Sequence, residues 1–419
     1  MWWADALPLK SAGMKAAQSR GPGEQARGSI SRPHRSWNFF CLLARTVPLP
    51  LLRVCIVAVA HETLQFLLTN HVGAFVTNRT TRFVVLNSYA NGTALSESHF
   101  SLESKILAPL AEGEVLLQTL ALSPDPYMRG RMTGVENFFL PQFELRVPLV
   151  GFGVARILES RNPAYPVGQI VHGSIEWAQM SNWGANSYLV SLGSLELLDP
   201  QIKPHRRALD VLGITGLTAY FGALEVARPR RGETMLISGA AGSIGSIVGQ
   251  IAKIRGARVI GLAGSDQKCA VLKEQLGFDT ALNYRSASLE QQLRELMPTG
   301  PDIYFDNVGG ALTQMVMWQM QRPARVIECG QISTYDQDGG GWTLDIRPIH
   351  GQGLSWEGFT PVQFQEFFPA ALAQLGYWLR SGKVIALETV IDGFENAPRS
   401  LAGLFRGDNL GKMLLHVAD

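Results

Sequence analysis

The residues most able to do chemistry in this chain begin with Gly239-Ala240-Ala241-Gly242-Ser243-Ile244-Gly245. They lie between a short apolar run, Thr234 to Ser238, and a second run with Ile244, Ile247, Val248 and Ile251 at the i, i+3, i+4, i+7 spacing of a buried helix face. Strand, glycine turn and helix are what a dinucleotide pyrophosphate needs. Small residues let the backbone approach the phosphates, and the N–H groups of Ser243, Ile244, Gly245 and Ser246 at the helix start point at the anion. Glycines also serve ordinary turns, so it is the placement between the two elements that carries the cofactor reading.

The end of the next strand decides which nicotinamide cofactor fits. A carboxylate about 20 residues beyond the glycines would bind the adenine ribose hydroxyls and favour NAD. The chain there reads Gly264-Ser265-Asp266-Gln267-Lys268. Asp266 stands near that distance. Ser265 and Lys268, however, are suited to a 2′-phosphate, with Asp266 serving as N-cap of a helix that starts at Gln267. The reading favours NADPH; the plain alternative for Lys268 is a solvated surface lysine.

These elements sit in a chain of 419 residues, long enough for two domains and a large core. The formal net charge of +2 points neither to nucleic acid nor to an acidic membrane surface. It conceals an asymmetry: residues 1–78 carry eight Lys/Arg against only Asp5, Glu24 and Glu62. This basic leader reads as a transit peptide, as a displaced signal core around Leu49 to Ala60, or as an extension from a misassigned start; the last is favoured, with a cytoplasmic body beginning near Val76 to Arg79. Cys41, Cys55, Cys269 and Cys329 form no C-x-x-C pair, which indicates neither a disulfide framework nor a cysteine-rich zinc site. No apolar run reaches the ~18–20 residues of a membrane span.

From Arg82 to about Pro200 short strands alternate with Gly and Pro, at Arg82–Asn87, Gly113–Leu120, Val147–Leu158, Gly168–Gly173 and Ser187–Ser191. After Arg206 strands and helices alternate. Strands are expected at Thr234–Ser238, Arg258–Leu262, Thr280–Asn283, Asp302–Asp306 and Arg325–Cys329, and a helix at Gln267–Leu276 closed by Gly277. Such alternation implies right-handed crossovers and a parallel, doubly wound sheet. Past about Arg380 short strands return around one helix with Pro398 near its start, so the tail is expected to pack back on the β-rich half.

The body resembles the zinc-free medium-chain reductases of the leukotriene hydroxydehydrogenase, prostaglandin reductase and curcumin reductase type. Seven segments carry the resemblance, in the family's order: 125–132 (DPYMRGRM), 216–222 (GLTAYFG), 240–245 (AAGSIG), 263–266 (AGSD), 305–310 (FDNVGG), 330–335 (GQISTY) and 407–412 (GDNLGK). The resemblance covers roughly residues 82–417 and leaves the leader uncovered. The resemblance implies an α/β chain: a GroES-like β-rich substrate domain from residues 79–206 and 381–419, and a Rossmann NADP-binding domain from 207–380. It implies that Lys268 and Tyr284 hold the adenosine phosphate end. Asn307, Cys329, Gly330, Ile332, Ser333, Tyr335, Phe359 and Asn409 surround the rest of the cofactor, with Thr218 near the nicotinamide half. Gln250 fits the family too, with packing as its plain alternative. A homodimer is also implied.

Reduction of an alkene conjugated to a carbonyl needs a hydride at the β-carbon, stabilisation of the enolate oxygen and a proton at the α-carbon. Tyr335, closing the Ile-Ser-Thr-Tyr turn, is the first candidate for binding the nicotinamide ribose or the enolate; Tyr127 is the second and lines the pocket. Packing on the cofactor, without chemical duty, is the alternative for Tyr335, and water is an alternative proton source. Arg129 and Arg131 read as structural, pairing with nearby carboxylates. His172 lacks the companions a catalytic zinc needs, so no metal is expected. Trp356, Phe359, Phe364, Phe367 and Phe368 form either an apolar lid or core packing. The sequence thus points to an NADPH-dependent reductase of a small hydrophobic unsaturated carbonyl, against a quinone reductase or a non-catalytic NADPH-binding sensor, with no nucleic-acid partner and no membrane span.

Overall fold

The first half of the body alternates apolar and polar residues and pairs accordingly. Its strands are β1 (Thr80–Leu86), β2 (Phe100–Ile106), β3 (Glu114–Leu122), β4 (Val150–Ser160), β5 (Ile170–Glu176), β6 (Met180–Gly184) and β7 (Glu196–Leu197). The middle supplies β8 (Thr234–Ile237), β9 (Arg258–Ala263), β10 (Thr280–Asn283), β11 (Ile303–Asp306), β12 (Arg325–Glu328) and β13 (Ser355–Gly358). The tail adds β14 (Glu388–Asp392) and β15 (Lys412–His416). The computed structural model describes residues 79–135, 140–184, 195–321, 323–336 and 343–419, all within one compact unit, Thr77–Asp419.

Strands β1 and β2 pair as an antiparallel ribbon. A larger mixed sheet runs β14-β15-β3-β4-β5-β7, with β6 also paired to β3. The tail therefore does join the β-rich half: Phe394, Ala397 and Leu401 share a core with Leu117, Met128, Val150, Ile175 and Trp177. Pro398 stands in the first turn of the helix Ala397–Arg406, where its missing N–H costs nothing.

The middle forms a six-stranded parallel sheet, β10-β9-β8-β11-β12-β13. Side chains alternate across it. Met235, Ile237, Val259, Phe305 and Ile327 face Ile247, Val248 and Ile251 of the helix Ser243–Ile254. Leu236, Ile260, Leu262, Tyr304 and Val326 face Leu289, Leu293, Val316 and Met317 on the other side. Both faces are covered, as a parallel sheet requires. Strand order reverses between β8 and β11, which creates the crevice where such sheets bind ligands.

Four strands were not among those expected: β2, β6, β7 and β13. The last reads Ser-Trp-Glu-Gly, too short and too exposed for a periodicity signal, and is defined by its pairing with β12. One cap is corrected. Ser265, in extended backbone, is the N-cap of the helix Asp266–Glu274, and its side chain accepts from the Lys268 backbone N–H; Asp266 is already helical. The strand expected at 187–191 and the leader lie outside the described residues. Among the described residues no helix is long and apolar enough to cross a membrane.

Candidate cofactor and substrate site

At the carboxyl end of β8 the chain turns through Gly239, whose φ of +57° suits glycine, and enters the helix Ser243–Ile254 at Gly242. No side chain caps that helix, so the N–H groups at Ser243 to Gly245 face outward with the positive end of the helix dipole, whereas the Ser246 N–H, expected among them, closes the first helical bond to Gly242 O at 3.1 Å. A Cβ on Gly245 would lie 2.6 Å from the Gly239 carbonyl oxygen, so glycine is what lets turn and helix approach. The loop between the C-terminal helix and β15 crosses here: Gly411 N–H donates to Ala241 O at 2.8 Å. Asn409, buried, donates to Gly411 O at 2.7 Å and shapes that crossing.

The second strand-end turn gathers Gly264, Ser265, Lys268 and Tyr284. A Cβ on Gly264 would meet the Tyr284 hydroxyl at 2.8 Å, so the phenol lies against the turn itself. The Lys268 Nζ donates to Gly407 O at 2.6 Å. Burial and then the nearby Arg285 hold its pKa below the ordinary lysine value. Arg285, beside the Tyr284 ring, was not singled out from sequence; its position directly after that tyrosine was the available signal. The Asp266 carboxylate accepts from Asn283 at 3.0 Å. Two cations at this turn and an engaged acid suit a 2′-phosphate better than free ribose hydroxyls.

Asp306, fully buried at the end of β11, organises the next cluster. It accepts from Ser238 Oγ at 2.7 Å, Tyr304 OH at 3.0 Å, the Val308 and Gly309 N–H groups, and Thr313. Asn307 donates from its side chain to Ser238 O at 2.8 Å, tying β11 to β8. The turn Ile332–Thr334 hangs from the same place: Ile332 N–H reaches Asn307 O, and Ser333 donates to Val308 O from both its backbone and its hydroxyl. The Tyr335 hydroxyl accepts from Gln331 N–H at 3.2 Å, and burial pushes its pKa up. Cys329 N–H donates to Asp306 O, and burial pushes its thiol up, away from thiolate chemistry. Asn307, Cys329, Gly330, Ile332, Ser333 and Tyr335 thus converge in one loop cluster. Thr218 donates to Ile214 O within its own helix, Ile214–Phe221.

The aromatic-rich stretch packs on this framework. The ring of Phe359 lies 6.3 Å from that of Phe305, while Phe364 and Phe368 stack on Phe221 at 4.8 and 5.9 Å. Phe367 is 54% exposed. Gln250 holds Ile385 through both its backbone groups, joining helix to tail.

On the β-rich side, Tyr127 opens the short helix Tyr127–Gly130 with its ring edge-on to Phe152 at 6.0 Å. Its hydroxyl is buried without a hydrogen bond, and burial pushes its pKa up. Both tyrosines are therefore protonated at neutral pH, able to donate a hydrogen bond. Asp125 just before them is paired with buried Lys412 of β15. The arginine expectation needs adjustment: Arg129, wholly buried, pairs at 2.6 Å with distant Asp336, while Arg131 binds Pro141 O and lies over Phe143. His172 stands 3.6 Å from Glu196. Among the described residues no group of three or more His, Cys, Asp or Glu could hold a metal ion.

A β-rich half joined to a parallel dinucleotide-type sheet, with its glycine-led helix at the switch point, is the medium-chain dehydrogenase/reductase architecture. The family model described as the N-terminal domain of oxidoreductase matches residues 82–189, and that described as zinc-binding dehydrogenase matches 243–375. Rat (Rattus norvegicus) prostaglandin reductase 1 is 41% identical, over 76% of this chain and 94% of its own. The NADP(+)-dependent 2-alkenal reductase of Nicotiana tabacum is 35% identical, over 80% of this chain and 97% of its own. CurA of Vibrio vulnificus, solved in complex with NADPH, aligns with a TM-score of 0.74 at 32% identity, over 81% of this chain and 99% of its own. The chain belongs to the zinc-free medium-chain dehydrogenases/reductases of the prostaglandin reductase and curcumin reductase type.

Proposed function

We propose that this chain reduces the carbon–carbon double bond of α,β-unsaturated ketones and aldehydes with NADPH. The observation that carries the reading is the convergence, at one sheet crevice, of the uncapped Gly242 helix, the Lys268–Tyr284 turn and the Tyr335 loop. The names of the relatives fit the same chemistry.

NADPH bound there would supply a hydride to the β-carbon of the substrate. The chain's own residues do the rest. The N–H groups of Ser243 to Gly245 would hold the pyrophosphate, with Ser246 beside them, and Ser265, Lys268 and Tyr284 would hold the 2′-phosphate. Asn307, Cys329 to Ser333, Phe359, Asn409 and Thr218 border the remainder. Tyr335 and Tyr127, kept protonated by burial, donate hydrogen bonds to the ribose or to the oxygen that gains charge. With both phenols held above their ordinary pKa, water is the simpler source of the α-proton.

We further place substrate contacts in a domain of residues 79–206 and 381–419 and the cofactor in 207–380. A homodimer is supported by the terminal position of β13 in its sheet, since an edge strand templates pairing with a second copy. Free Cys269 and Cys329 fit a cytoplasmic setting.

The test follows NADPH consumption by the full chain against 2-alkenals, cyclic and linear enones, and quinones. Turnover of enones to saturated carbonyls is the expected result. Turnover of quinones alone would move the chain to the quinone reductases, and tight NADPH binding without turnover to a sensor.

A further inference from the structure

Arg129 occupies an unusual position. Its side chain is 0% exposed, yet it carries a permanent charge. Its Nη2 donates to two carbonyls of the β-rich half, Ala90 O at 2.5 Å and Thr93 O at 2.9 Å. Its Nε donates at 2.6 Å to Asp336, the residue after Tyr335 and 207 positions along the chain. Its Nη1 is buried with no partner. A guanidinium so enclosed depends on its one carboxylate for compensation, so the pair resists separation.

The two ends of this bridge flank the two candidate tyrosines. Arg129 is two residues from Tyr127 on the same short helix, whose other side is fixed by the Asp125–Lys412 pair. Asp336 follows the turn Ile332–Thr334, which bonds to Asn307 O and Val308 O at the end of β11 and, within its own loop, to Gln331 O. We propose that the Arg129–Asp336 ion pair is a positioning strap, which seats the Tyr335 turn against the Tyr127 helix and so sets the relation between nicotinamide loop and substrate side. This deepens the proposed function and rests on it. Arg129 acts through Tyr335 and touches no reactant.

The experiment compares full-length wild type with Asp336→Asn and Arg129→Lys. Asp336 is partly exposed and asparagine keeps an oxygen to accept from Arg129, so this isosteric change is the milder for the fold, and Tm is measured beside kcat in both variants. Misplacing a reacting geometry by about 1 Å costs on the order of 100-fold, so Asp336→Asn is expected to lower kcat about 10- to 100-fold. NADPH affinity, read by nucleotide fluorescence, should stay near wild type because the phosphate-holding residues lie elsewhere. Arg129→Lys, which keeps charge without the fork, should fall between the two. Amide hydrogen exchange without cofactor supplies a second readout: Gln331 to Ser333 and the Tyr127 helix should exchange faster together in Asp336→Asn. Unchanged kcat, or a loss that merely tracks NADPH affinity and thermal unfolding, would overturn the strap. If wild type reduces no enone, the functional reading has failed instead, and exchange alone judges the strap: coupled acceleration supports it and unchanged exchange refutes it.

Discussion

Individual residues carry the cofactor preference and the chemistry. Lys268 is half-buried and engaged with Gly407 O, so truncation removes a held cation rather than a solvated one. Lys268→Ala is expected to raise the KM for NADPH on the order of 30-fold while leaving that for NADH little changed, as losing one partner of a hydrogen-bonded charge pair implies. Steady-state kinetics with both nucleotides reads the ratio. Tyr335→Phe removes a protonated donor and keeps the ring; kcat should fall about 100- to 1000-fold with NADPH affinity retained, the scale of a lost oxyanion donor. Stopped-flow hydride transfer separates this from slow product release. The glycine turn, the Ser265–Lys268 stretch and the Tyr335 turn are short local motifs open to reading from sequence, whereas Tyr284 came only through the family resemblance. The Ser265 cap was misread because Asp and Ser are both good caps and only the extended backbone at Ser265 decides between them. The Arg129–Asp336 pair was not legible, since nothing local links residues so far apart.

Elements with strong periodicity were read correctly, and those without it were not. The helix Ser243–Ile254 buries Ile247, Val248 and Ile251 as their spacing implies. Gly249 on the same helix lies under Phe278, where an added Cβ would stand 2.0 Å from the ring. Gly249→Ala should therefore destabilise by about 1–3 kcal/mol through overpacking, seen as a lower Tm. β13 was invisible because Trp356 is its one apolar residue and four residues give no period; long-range pairing with β12 made it a strand. If its outer edge meets a second copy, light scattering should give a mass near twice the 45.8 kDa chain. A monomer would remove the dimer proposal.

At the scale of the whole molecule, ion pairs tie the returning tail to the β-rich half and to the segment that leads out of it. Lys412 pairs with Asp125, while Arg206 and Arg207 pair with Glu388 at 2.8 and 3.1 Å, beside Asp210. Burial raises the Asp210 pKa to about 7, with Glu388 adding to the rise and Lys412 and Arg207 opposing it. A carboxyl raised in the folded state contributes stability below its unfolded pKa and loses it as pH rises through the folded one. Tm should therefore decline between about pH 4 and about pH 7 from this group, and Asp210→Asn should flatten the decline. The division into a β-rich half with a returning tail and a doubly wound sheet was legible from strand–helix alternation alone. This charge network was not, because its members come from four separated segments. Hydride delivery to an alkene carbon is the step that separates this chemistry from carbonyl reduction. NADPH deuterated at the transferable C4 position, turned over by the full chain with a 2-alkenal or enone, should yield a saturated carbonyl carrying one deuterium at the β-carbon. A deuterated allylic alcohol, with the double bond intact, would contradict it.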